Sequence, residues 1–126
     1  MKIFLDTADT ETIRKYFETG LVDGVTTNPS LIMKAGRLPD DVYQEIKDIG
    51  VPDISMEVMG DANEMYNEGL RLVDKFGSVA TIKVPCTREG LKTCKALTQE
   101  KIRTNVTLIF CASQAVLAAK AGATYV

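Results

Sequence analysis

The sequence predicts an α/β fold built on a parallel sheet. Short β-rich runs alternate with stretches of helical periodicity five times over, and the first residues of a further strand follow. The strand-like runs are near-continuous apolar stretches, as strands covered on both faces require. The 126 residues suffice for one domain with a single core, so one domain spanning 1–126 is expected.

The elements follow in order. Ile3, Phe4 and Leu5 form a first strand. A helix at 9–19 carries Ile13, Tyr16 and Phe17 at helical spacing, with Thr10 as its N-cap and Gly20 as its stop. Gly24-Val25-Thr26-Thr27 is a second strand that ends at Asn28-Pro29. A helix at 40–48 places Val42, Tyr43, Ile46 and Ile49 in register before Gly50. A third strand covers 54–58. The clearest helix covers 62–76, with Met65, Tyr66, Leu70, Val73 and Phe76 as its apolar stripe. A fourth strand at 79–84 contains Lys83. A helix at 89–98 turns Leu91, Cys94 and Leu97 inward, and a fifth strand is expected at 104–110. An Ala-rich helix at 113–121 stops at Gly122, and a sixth strand begins at 123–126.

Two closures satisfy this pattern: an open doubly wound sheet or part of a (β/α)8 barrel. Leu5-Asp6-Thr7-Ala8-Asp9 stands where a dinucleotide fold would carry G-x-G-x-x-G, which argues against that fold. Polar residues at or near the strand ends favour the barrel. Asp6 ends the first strand and Asn28 follows the second. Glu57 lies near the end of the third and Lys83 near the end of the fourth, while Asn105 and Thr107 lie in the fifth. Barrel enzymes collect their catalytic groups at that face.

Composition narrows the chemistry. The chain has 45% apolar and 25% charged residues and a net charge of −2, without a basic stripe, so nucleic acid is not an expected partner. No apolar run approaches the roughly 20 residues that span a bilayer. Met1-Lys2-Ile3-Phe4-Leu5-Asp6 meets a carboxylate too early for a signal peptide. Cys86, Cys94 and Cys111 are odd in number and not closely paired. They are read as packing residues of a cytoplasmic protein, not as a disulfide framework or metal site. The absence of histidine removes Ser-His-Asp and Cys-His nucleophiles and histidine metal sites.

Lys83, flanked by Ile82 and Val84, is the candidate nucleophile. Burial disfavours an unpartnered ammonium, and the free amine it leaves attacks carbonyl carbon. The competing reading is a lysine at a strand edge or one that snorkels to solvent. Asp6 is a candidate general acid or base, or else a helix-entry residue. Glu57, if it faces inward, can pair with Lys83 or hold a water. Asn28 can donate to a substrate hydroxyl, or it can simply form a turn before proline. Asn105 and Thr107, two apart, share one face of their strand.

These residues lie in motifs that resemble one family, the transaldolases, in particular the short group that includes the fructose-6-phosphate aldolases. The motifs are Leu5-Asp6-Thr7-Ala8-Asp9, Gly24-Val25-Thr26-Thr27-Asn28-Pro29-Ser30-Leu31, Ile82-Lys83-Val84-Pro85-Cys86-Thr87-Arg88-Glu89-Gly90-Leu91 and Asn105-Val106-Thr107-Leu108-Ile109-Phe110. The resemblance runs the length of the chain. It implies a (β/α)8 TIM barrel of the class I aldolase type, present as its N-terminal part: about five βα units and the start of strand six.

It further implies a reaction without cofactor or metal. Lys83 forms a Schiff base with a ketose, Asp6 exchanges the C4 hydroxyl proton, and Glu57 and Thr107 position a relay water. Asn28, Asn105 and Thr27 are the implied substrate-binding residues. In this resemblance Glu57 marks transaldolases, where the aldolases carry Gln. The expectation is therefore transfer of a dihydroxyacetone unit between sugar phosphates in the pentose phosphate pathway. Cleavage that releases dihydroxyacetone, and a non-catalytic truncated remnant, are the alternatives. The family's phosphate-binding Ser and Arg fall beyond residue 126, and the full-length form is expected to be a homo-oligomer.

Overall fold

The computed structural model describes Met1–Val126. Its five strands are β1 Phe4–Asp6, β2 Gly24–Thr26, β3 Ile54–Glu57, β4 Ala80–Pro85 and β5 Thr104–Thr107. Six helices lie between and after them: α1 Thr10–Phe17, α2 Pro29–Lys34, α3 Pro39–Ile49, α4 Ala62–Phe76, α5 Arg88–Gln99 and α6 Ala112–Ala121. The sheet order is β1-β2-β3-β4-β5, and helices separate each successive pair of strands. That is the connectivity of a (β/α)8 barrel, here with five of its strands, and it rules out the strand-order reversal of a doubly wound sheet. A parallel bridge from Asn105 to Tyr125 marks where the sixth strand begins.

Packing divides the chain into two compact units. The first is Met1–Met56 with Phe76–Ala80. Here β1 pairs with β2 and β2 with β3, in parallel. Val25, Ile32, Val42, Ile46 and Ile54 form its core, and Tyr43 meets Phe76 edge-on at 5.8 Å. The cap of α1 is Asp9, not Thr10. The Asp9 carboxylate accepts from the Glu11 N–H, and Thr10 is buried, with its hydroxyl donating to Glu45 at 2.8 Å. The helix also ends at Phe17, before Gly20.

The run after Asn28 is not only a turn. Pro29 opens α2, because a proline at the first helical position lacks only an N–H that would have no partner there anyway.

The second unit is Glu57–Lys75 with Thr81–Val126. Parallel β4 and β5 carry Ile82, Val84 and Val106 into its core, beside Met65, Leu72, Cys94 and Leu97. The stripe of α4 differs from the expected one: Leu72 is 1% exposed and Leu70 is 37% exposed. Gly69 occupies the inward position between Met65 and Leu72. A Cβ there would stand 3.3 Å from Leu97 and 3.4 Å from Ile82. The close approach of α4 to its neighbours therefore passes through a residue with no side chain, which a count of apolar side chains overlooks.

Strand β5 is shorter than expected. Leu108 takes φ 64°, which breaks the ladder, and Leu108 and Phe110 are exposed. Cys94 is buried, Cys86 half-buried and Cys111 exposed at the start of α6, so only Cys94 is a core residue.

Candidate active site

In the second unit the candidate residues gather on one face. Lys83 sits mid-strand in β4 and is 8% exposed. Its Nζ lies 3.1 Å from Glu57 Oε2, so the buried ammonium is partnered, the pairing that an inward Glu57 allows. The Val58 N–H donates to the Lys83 carbonyl at 3.0 Å, which ties the end of β3 to β4 beside this pair.

Across β4 and β5, Lys83 stands opposite Asn105 and Pro85 opposite Thr107. Residues paired in register share a face, so Asn105 lies beside Lys83 and Thr107 one step further along. The alternation in β5 agrees: Thr104 and Val106 are buried, and Asn105 and Thr107 are half-buried.

The segment after Lys83 is tightly held. The Cys86 N–H donates to the Thr107 carbonyl at 2.8 Å. Thr87 caps α5, its hydroxyl accepting from the Gly90 N–H at 3.0 Å. Gly90 is required by contact, since a Cβ there would come within 1.9 Å of the Pro85 carbonyl oxygen. The signal for it was present as a Thr-x-x-Gly spacing directly after the strand.

In the first unit Asp6 ends β1 and is exposed, in register with Thr26 of β2. The Thr26 hydroxyl donates to Asp6 Oδ1 at 2.8 Å. Thr27 points the other way. It is 0% exposed, and its hydroxyl donates to the Ser55 carbonyl at 3.2 Å, so it holds backbone together where it lies. Asn28 is extended, at φ −149°, and caps α2 by accepting the Leu31 N–H at 2.9 Å. Using Oδ1 in that bond fixes which way the amide faces and leaves its NH₂ group as the donor end. Sequence reasoning passed over Thr26, because adjacent threonines in a strand differ only in the face they occupy.

No helix is long and apolar enough to cross a membrane.

The family described as Transaldolase/Fructose-6-phosphate aldolase matches residues 3–126. A protein of Geobacter sulfurreducens named "Probable transaldolase" is 57% identical across all of this chain, which covers 59% of that protein. One of the same name from Herpetosiphon aurantiacus is 57% identical, with 57% of it covered. A third, from Nitrosopumilus maritimus, is 51% identical, again with 57% covered. The chain thus spans under three fifths of the length of the curated relatives it matches.

Proposed function

The chain belongs to the Transaldolase/Fructose-6-phosphate aldolase family, and from that membership we propose that it carries the Schiff-base half of a transaldolase. Its βα units are part of a (β/α)8 barrel of the aldolase type. The observation that carries the reading is the buried Lys83–Glu57 pair at 3.1 Å, with Asn105 opposite the lysine. A lysine held inside a strand beside a carboxylate has both a nucleophile and an acceptor for its proton.

In this reading the Lys83 ammonium gives up a proton toward Glu57, and the amine attacks the C2 carbonyl of a ketose phosphate. Loss of water leaves a protonated imine, with Glu57 and Thr107 holding the water that relays the protons. Asp6 takes the C4 hydroxyl proton, and the C3–C4 bonding pair moves toward the imine nitrogen. An aldose phosphate leaves, and a three-carbon enamine stays on Lys83. Asn105 and the NH₂ of Asn28 donate to the bound hydroxyls. The enamine then attacks the carbonyl of a second aldose phosphate, Asp6 returns the proton, and hydrolysis frees Lys83. The reaction uses no cofactor, takes sugar phosphates as substrates, and belongs to the cytoplasmic pentose phosphate pathway. The full-length enzyme is a homo-oligomer.

Borohydride reduction in the presence of fructose 6-phosphate tests this. A covalent adduct on Lys83 is expected, and it should be absent in Lys83→Ala. No adduct on the folded protein sinks the reading. Adding erythrose 4-phosphate should then yield sedoheptulose 7-phosphate. Free dihydroxyacetone as the only product would favour the cleavage reaction that the family's description also names.

A further inference from the structure

We infer that Thr26 is a positioning residue for Asp6, an assignment that rests on the Schiff-base reading above. Asp6 closes a three-residue strand and is exposed, so packing alone leaves its carboxylate free to rotate. To take a hydroxyl proton while a carbon–carbon bond breaks, one of its oxygens must hold a fixed direction. Thr26 supplies that direction. It stands directly opposite Asp6 in the β1–β2 register, and its Oγ1 donates to Asp6 Oδ1 at 2.8 Å. A β-branched side chain in a strand is stiff at χ1, so the hydroxyl is itself held in place. The next residue cannot substitute, because the Thr27 hydroxyl is buried against the Ser55 carbonyl.

With Oδ1 occupied, Oδ2 is the oxygen left to react. The C4 O–H bond breaks and its proton goes to Oδ2. The O–H pair becomes the new C4 carbonyl bond, and the C3–C4 pair becomes the C2–C3 double bond. The imine π pair returns to the nitrogen of Lys83. Thr26 gains and loses nothing in this step; it acts only through the orientation of Asp6.

The experiment compares Thr26→Val, which keeps the shape and removes the donor, with Thr26→Ser, which keeps the donor. Both are made in the full chain and assayed with fructose 6-phosphate for borohydride-trapped imine on Lys83, and with erythrose 4-phosphate added as acceptor for the steady-state rate of aldehyde release. Thr26→Val should lower kcat for release by about tenfold, with KM and imine trapping close to wild type. Thr26→Ser should restore release to within about threefold. Wild-type release by Thr26→Val, with imine trapped normally, overturns the assignment and leaves the Schiff-base reading standing. Equal losses of trapping and release in both variants point to a disturbed fold and also overturn it. An unmodified Lys83 in the wild-type protein removes the Schiff-base reading, and the role of Thr26 falls with it.

Discussion

The Lys83–Glu57 pair is where stability and chemistry pull on the same atoms. The two side chains keep only 10% and 17% of their exposure, so each ion depends on the other for the solvation it has lost. Removing one should cost more than removing both. Lys83→Met strands the Glu57 carboxylate and should lower the unfolding free energy by about 2 kcal/mol, somewhat less than for a wholly buried pair. Lys83→Met with Glu57→Gln should recover much of that loss. Urea titration of the wild-type, single and double variants closes the cycle; a double variant no more stable than Lys83→Met would mean that the pair is not coupled. The lysine was legible in the sequence as a charge in an apolar strand, and its partner was named as one of two options. The choice between them came only from the folded chain, in which Glu57 Oε2 lies 3.1 Å from Lys83 Nζ.

Among the elements, helix ends and glycines decide how firmly the site is held. Gly90 and Gly69 both lie in helices against packed neighbours, but they meet different obstacles. An added Cβ at Gly90 would strike the Pro85 carbonyl oxygen at 1.9 Å, a backbone atom fixed by β4. At Gly69 it would meet side-chain carbons at 3.3–3.4 Å, while alanine gains about 1 kcal/mol of helix propensity over glycine. Gly90→Ala should therefore lose at least about 2 kcal/mol more than Gly69→Ala in chemical denaturation. Similar losses would show that the loop after β4 yields easily.

In the first unit Glu45 of α3 is held below the usual carboxylate range, first by the Thr10 hydroxyl of α1 and then by Arg37. A depressed folded value stabilises the fold above the unfolded carboxylate's pKa, about 4.3, and that contribution is lost as pH falls through the lower folded value. Glu45→Gln should therefore be less stable than wild type near neutrality, and the gap should close below about pH 4. A gap that persists in acid would assign the effect to packing. Element type was well legible, α4 most of all, with both of its ends read correctly at 62 and 76. The inward side of α4 was not, because Gly69 has no side chain to count. Helix α2 was hidden because Asn28-Pro29 reads equally well as a turn and as a cap followed by the first helical residue.

At the scale of the whole molecule, the residues of the proposed chemistry fall in two compact units. Glu57, Lys83, Asn105 and Thr107 belong to the second unit, and Asp6, Thr26 and Asn28 to the first. The alternation of strands and helices was readable from periodicity, and so was the recurrence of polar residues near strand ends. What periodicity leaves out is the pairing between strands, which put Lys83 opposite Asn105 and Asp6 opposite Thr26.

The proposed reaction divides along the same line. Imine formation needs the amine, its proton acceptor and the neighbouring donors, all from the second unit. Carbon–carbon cleavage adds one demand, a base for the C4 hydroxyl, and the candidate for it lies in the first. Asp6→Asn should accordingly form the borohydride-trapped adduct on Lys83 at close to the wild-type level, while aldehyde release falls by about 10²-fold or more. Lys83→Ala should abolish both. Without its base the imine has no outlet except return to substrate, so the adduct trapped from Asp6→Asn should keep the whole ketose, where the wild-type adduct keeps only the three-carbon unit left after cleavage. If Asp6→Asn instead prevents trapping while its thermal unfolding matches wild type, Asp6 is needed for imine formation itself, and the division of labour proposed between the two units is wrong.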